Sequence, residues 1–190
     1  MLTNINPIKV IGNWDEGFVL DRHIDFSVFE GNDEYGHPIF DTTRTKLGEC
    51  LYQFKYKGKY DKLNEIMVLV EPFLKTWTVV NSIDFVIPSP FSKDRKYHPT
   101  NEIARRISSL IKRPYAEVLQ KTNNVEAKDM TDKSQIVGTI VMTQKPNGPH
   151  NILLVDDLYD TGTTLRECVR VLKLSGINKV FVLTMTKTNG

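Results

Sequence analysis

The stretch Ile152-Leu153-Leu154-Val155-Asp156-Asp157-Leu158-Tyr159-Asp160-Thr161-Gly162-Thr163-Thr164-Leu165 constrains the fold of this chain more than any other. Four consecutive apolar residues read as a strand at the centre of a sheet, buried on both faces. Its carboxyl end delivers two adjacent acids into the crevice where open α/β sheets bind ligands. Neighbouring side chains on an extended strand point opposite ways, so Asp156 and Asp157 cannot do the same job. The turn Asp160 to Thr164 then opens a helix whose free N–H groups and dipole suit an anion. Gly162 permits close backbone approach, and Thr161, Thr163 and Thr164 add hydroxyl donors without adding charge. Donors for a phosphate beside acids that accept from hydroxyls suit a sugar phosphate. The bland alternative is that the acids merely end a strand and Thr161 caps a helix.

The surrounding pattern supports an α/β chain. Leu165, Cys168, Val169 and Leu172 stripe a helix ending at Ser175-Gly176, and Val180 to Met185 is a second buried strand. This β-α-β unit implies a parallel sheet with a right-handed crossover. Upstream, Leu47, Cys50, Leu51 and Phe54 fall at helical spacing and stop near Lys57-Gly58. Leu63, Ile66, Met67, Val70, Phe73 and Leu74 line a second helix, and Ile103, Ala104, Ile107, Leu110 and Ile111 a third behind Asn101. Ile83 to Ile87 is a short strand, with further strand-like runs at Tyr115 to Leu119 and Ile136 to Met142. Residues 121 to 135 are polar and read as a mobile excursion. Residues 1–42 differ: Ile8 to Val10, Gly17 to Leu20 and Phe26 to Phe29 read as small strands, with a turn at Gly31 to Gly36. We therefore expect a β-rich N-terminal hood over residues 1–42 and a core over 43–190.

Composition removes whole classes. With 25 Lys and Arg against 23 Asp and Glu, the net charge of +2 creates no broad field for nucleic acid or membrane. Cys50 and Cys168 stand alone, with no CxxC, so neither a disulfide framework nor an all-cysteine zinc site is expected. No apolar run approaches the roughly 18 residues of a membrane span, and MLTNINPIKVIGNW does not read as a signal peptide. A soluble, cytoplasmic protein is the expectation.

A second feature is Val86-Ile87-Pro88-Ser89-Pro90-Phe91-Ser92-Lys93-Asp94-Arg95-Lys96. A strand ends at Pro-x-Pro, and three cations follow within four residues. The prolines stiffen the turn and are expected to hold its backbone amides toward a ligand. Lys93, Arg95 and Lys96 suit a diphosphate or its magnesium complex. Alone, the segment reads as an ordinary solvated basic loop.

Together these motifs resemble the type I phosphoribosyltransferase family. Ile152 to Thr164 matches that family's loop for 5-phosphoribosyl 1-diphosphate (PRPP): apolar strand, two acids, then Thr-Gly-x-Thr. The order of elements is similar to the ComF branch. Phe54-Lys55-Tyr56-Lys57-Gly58 resembles its basic helix end, Val86 to Pro90 with Arg95 its pyrophosphate loop, and Asn101-Glu102-Ile103-Ala104 the helix that follows. Residues 1–42 hold none of the cysteines of the ComF zinc ribbon, and Tyr97-His98-Pro99-Thr100-Asn101 stands where that branch has Arg-Gly-Phe-Asn.

The resemblance implies a doubly wound, mainly parallel sheet with helices on both faces and a small N-terminal β-rich hood. It implies transfer of ribose 5-phosphate from PRPP to a nitrogen acceptor, releasing pyrophosphate. Asp156, Asp157 and Asp160 are the implied catalytic residues, the first two on the ribose hydroxyls and Asp160 near a nucleobase. Asp160, Thr161, Gly162, Thr163 and Thr164 would cradle the 5′-phosphate, and Pro88, Ser89, Pro90, Lys93 and Arg95 the pyrophosphate. The implied cofactor is Mg²⁺, carried by PRPP and water-bridged to Asp156 and Asp157. PRPP or a nucleoside monophosphate is the implied partner, with the acceptor unassigned and room for a homodimer. A non-catalytic PRPP-binding regulator and a ComF-like accessory factor in DNA processing stay open.

Lesser candidates complete the reading. His23 and His37 with Asp21, Asp25 and Asp33 have no standard metal-ligand spacing, so turn and surface roles are expected. Tyr52, Phe54, Tyr56 and Tyr60 among Lys55, Lys57, Lys59 and Lys62 read as a helix with snorkelling lysines rather than a nucleic-acid surface. Lys128 and Lys133 fall in the excursion, which resembles the family's catalytic loop. Cys168 reads as core.

Overall fold

The computed structural model describes residues 5–91, 97–122 and 138–188. Its centre is β8 (Asn151–Tyr159), in which Ile152, Leu153, Leu154 and Val155 are buried on both faces. β5 (Phe85–Pro88) pairs with it in parallel on one side and β9 (Lys179–Lys187) on the other. β2 (Glu16–Arg22) adds in parallel to β9, and the short β1 (Ile8–Lys9) closes that edge antiparallel. The order is β1-β2-β9-β8-β5, so every strand except β1 runs the same way.

Side-chain alternation divides the core in two. Leu153 and Val155 face a layer built from α1 (Lys46–Tyr56), α2 (Lys62–Thr76) and α3 (Pro99–Ile111). Ile152 and Leu154 face α4 (Thr163–Leu174), with β6 (Leu119–Lys121) and β7 (Ile140–Met142) beside it as an antiparallel pair. Helices therefore cover both faces of a mainly parallel sheet, as the buried apolar run required. Cys50 and Cys168 are free thiols inside these layers. Among the described residues no helix is long and apolar enough to cross a membrane.

The expected division at residue 42 does not follow the sheet. β1 and β2 belong to the main sheet, and Val19 and Leu20 are fully buried in it. What stands outside is a ribbon of β3 (Ile24–Asn32) and β4 (Pro38–Arg44), joined by the turn at Asp33 to Gly36. The physical reason is that β2's partner, β9, lies at the other end of the chain, and nothing local in the sequence announces it. Tyr115 makes only an isolated parallel bridge to Val86, with β6 starting at Leu119. Of the polar excursion, residues 123–135 lie outside the described residues.

Candidate functional site

The carboxyl ends of β2, β5, β8 and β9 lie side by side because these strands are parallel, and β8 brings the acid pair there. Asp157 lies on the Leu153–Val155 face. Its Oδ2 accepts from Lys55 Nζ of α1 at 2.6 Å, with side chains 10% and 21% exposed. Burial works against the Lys55 ammonium, but the charge and hydrogen bond of Asp157 outweigh it and raise its pKa above the usual lysine value. Asp156 lies on the opposite face. It accepts from the Asp157 backbone N–H at 2.9 Å and from the Ser89 hydroxyl at the end of β5. Burial, then the charge of Asp157, push the Asp156 carboxyl up to about 7. The two acids thus have different partners, as opposed side-chain directions dictate.

Beyond the acids, the chain turns through Asp160 and Thr161 into α4. Gly162 adopts φ 73°, and a Cβ there would come within 2.8 Å of the Tyr159 hydroxyl, so glycine is required twice over. Gly162 has no side chain to cap the helix, and the first-turn N–H groups have no intrahelical acceptors. With Asp156 and residues 158–165 they line an open recess of about 340 Å³. The loop is braced from several sides. Thr161 Oγ1 and Thr163 Oγ1 are 2.8 Å apart, and Arg166 Nη1 donates to the Thr161 carbonyl at 2.7 Å. Asn13 ties down the Arg166 carbonyl at 2.9 Å, and Thr188 Oγ1 donates to Asp160 Oδ1 at 3.0 Å. Asp160, Thr161, Gly162, Thr163 and Thr164 are thus gathered into one wall of the recess beside Asp156.

The Pro88-Ser89-Pro90 segment departs from expectation. All three residues are buried, and the Ser89 N–H donates to the Val155 carbonyl at 2.8 Å. Prolines have no N–H, so no backbone amide of residues 88–90 remains for a ligand; the strand ladder has taken the one available. What the segment contributes is the Ser89 hydroxyl on Asp156. Lys93, Arg95 and Lys96 lie outside the described residues, as do Lys128 and Lys133. Phe91 stacks on His98 with ring centroids 3.6 Å apart.

Sequence reasoning alone leaves Lys55 and His23 out of the site. Lys55 carries the signal of a cation in the last turn of a helix, a position also expected for a snorkelling lysine. Its neighbour Lys57 does behave that way, lying 5.6 Å from the Tyr52 ring. His23 follows β2 with its Nδ1 3.1 Å from Thr186 Oγ1. Burial, then the Arg44 and Lys55 charges, pull its pKa below the usual histidine value. His37 sits in the ribbon turn, where Asp33 Oδ1 accepts from the Tyr35 and His37 amides. The two histidines share no site. Among the described residues no group of three or more His, Cys, Asp or Glu side chains is set to hold a metal ion. Two acids, one already ion-paired, fit a magnesium ion carried mainly by its ligand's oxygens and by water.

No family model matches the chain. Over 139 residues it is 27% identical to competence protein ComFC of Bacillus subtilis (strain 168), covering 71% of this chain and 57% of that protein. Over 175 residues it is 26% identical to amidophosphoribosyltransferase of Pasteurella multocida (strain Pm70), covering 82% of this chain and 32% of the relative. The chain therefore spans little more than half of one curated relative and about a third of the other. Among solved structures, the allosteric regulatory enzyme of purine biosynthesis superposes with a TM-score of 0.50 at 18% identity, over 80% of this chain and 34% of that one. That likeness concerns the fold.

Proposed function

The chain is a type I phosphoribosyltransferase-like protein with a ComF-like relative, and from that premise we propose that it binds PRPP with magnesium and transfers ribose 5-phosphate to a nitrogen acceptor. The observation that carries the reading is the acid pair of opposite facing, 156 and 157, adjoining an uncapped helix N-terminus. The 5′-phosphate would take the N–H and hydroxyl donors of Thr161 to Thr164, and the ribose hydroxyls would donate to Asp156 and Asp157. The bond from the anomeric carbon to the diphosphate oxygen breaks as the carbon–nitrogen bond forms, and the acceptor nitrogen gives up a proton. Positive charge develops on the sugar ring, where the Asp156 and Asp157 carboxyls would stabilise it. Anchoring the 5′ end would direct binding energy to position at the reacting carbon. Magnesium, when bound with PRPP, neutralises the departing diphosphate. Asp160, placed beside Thr188, is the residue we assign to the acceptor side.

One observation favours a second reading, a PRPP-binding protein without turnover: residues 88–90 offer no backbone amide for pyrophosphate. The likeness to a competence protein extends that reading to an accessory role in DNA processing. Calorimetric titration with PRPP and Mg²⁺, followed by a panel of bases scored for pyrophosphate release, separates the two. Changing Asp156→Asn with Asp157→Asn is expected to abolish PRPP binding while the circular dichroism spectrum is kept. A double variant that binds as tightly as its parent overturns the site assignment, and binding without pyrophosphate release across the panel overturns transfer.

A further inference from the structure

Building on the sugar-phosphate reading, we propose that Lys55 is a positioning residue: by occupying Asp157 Oδ2 it fixes that carboxylate so that Oδ1 accepts from a ribose hydroxyl. The lysine is not a loose surface cation. α1 is fastened to the carboxyl end of β2, where Thr45 Oγ1 accepts from Gly48 N at 3.0 Å and donates to the Arg22 carbonyl at 2.7 Å. Gly48 is glycine because a Cβ would overlap the His23 carbonyl, so the helix lies directly on the strand end. Phe54 is buried at the other end of the helix. This fastening directs the last turn of α1, and Lys55 with it, at β8.

The contacts of the acid pair are divided between the two residues. Asp156 has the Ser89 hydroxyl and the Asp157 amide. Asp157 has Lys55 on Oδ2, while Oδ1 carries no hydrogen bond among the described residues. Besides Asp157, the charge of Asp156 on β8 acts on the Lys55 ammonium, and His23 after β2 feels both Lys55 and Asp157. An ammonium held by one oxygen of a carboxylate locks the side-chain rotamer and leaves the second oxygen as a directed acceptor. Stability alone gives little reason for such a pair, since well-packed apolar residues serve a buried position as well or better.

The test uses the full chain and two ligands, inorganic phosphate and ribose 5-phosphate, titrated calorimetrically into the parent, Lys55→Gln and Lys55→Arg. Lys55→Gln is expected to weaken ribose 5-phosphate by about tenfold or more, the scale of a misdirected hydrogen bond to a charged group. Phosphate binding, which engages the loop alone, is expected to stay within about twofold. Lys55→Arg restores most of the sugar's advantage. Equal loss for both ligands, as from structural damage or a general charge effect, overturns the proposal, and so does unchanged binding of both. Should Lys55→Gln fail to fold, Lys55→Met keeps the packed stem and is held to the same split between ligands. A parent that binds ribose 5-phosphate no better than phosphate overturns the sugar-phosphate reading itself, an outcome distinct from failure of the lysine's role.

Discussion

Replacing Asp156 with asparagine removes a carboxyl that the fold holds near pH 7 instead of its ordinary 3.8. In the unfolded chain this group ionises first as pH rises, so the acid opposes folding progressively between about pH 4 and pH 7 and fully above that. A displacement of about three pH units corresponds to at most ~4 kcal/mol. Asp156 still touches the recess, and Asp157 and Lys55 share its electrostatics, so about half of that, ~2 kcal/mol, is the expected cost at pH 8. An asparagine at this position would lose the charge and keep an acceptor for the Asp157 amide. Urea unfolding of parent and Asp156→Asn at steps from pH 4 to pH 8, at constant ionic strength, isolates the effect of the acid pair and Lys55, because titrating groups remote from them cancel in the difference. The gap is expected to widen in the variant's favour by about 2 kcal/mol, or roughly 5 °C in Tm for a domain of this size. The same variant should bind PRPP poorly, as expected where a site is kept at the expense of stability. A gap that stays constant across the range, or narrows as pH rises, refutes the reasoning.

Two further outcomes follow from the geometry. Gly162→Ala forces a left-handed φ on a residue with a side chain and pushes its methyl into Tyr159; it should lower stability by about 1–3 kcal/mol and weaken phosphate binding, and a variant matching its parent in both measurements contradicts the account of the loop. Glu167 receives Arg170 Nε and Nη2 at 2.7 and 2.8 Å and the Gly138 N–H at 2.7 Å, and the Arg170 bond in particular holds its carboxyl below the usual glutamate range. Its stabilisation is present above about pH 4.5 and fades as pH falls. Glu167→Gln should therefore cost about 1 kcal/mol at pH 7 and little at pH 3, and equal cost at both would count against the ionic contribution.

Legibility follows the range of the interactions. The strand-loop-helix from Ile152 to Leu172 is readable because each of its signals is local: an apolar run, acids at its end, a glycine at a positive φ and a stripe at helical spacing. The opposite facing of Asp156 and Asp157 comes from the two-residue period of a strand. The three helices of the other layer are readable for the same reason, their buried positions recurring at helical intervals. β2 reads as part of a hood because a strand's partner is not written in the strand. The Pro88-Ser89-Pro90 turn misleads because the Ser89 amide is used by Val155, a residue of another strand.

Local sequence alone dictates that a parallel strand delivers two acids and an uncapped helix start to one edge of a sheet. Periodicity and turn chemistry act over a few residues, and every copy of that segment carries them. Long-range packing selects which groups answer those acids: Lys55 on Asp157, Ser89 on Asp156, Thr188 on Asp160 and Asn13 on the Arg166 carbonyl behind the loop. These partners come from elements far apart in the chain, and their meeting depends on how α1 settles on β2 and how β5 and β9 flank β8. The electrostatic asymmetry of the acid pair comes from burial and from those neighbours, and therefore exists only once the sheet and its two helical layers have closed around it.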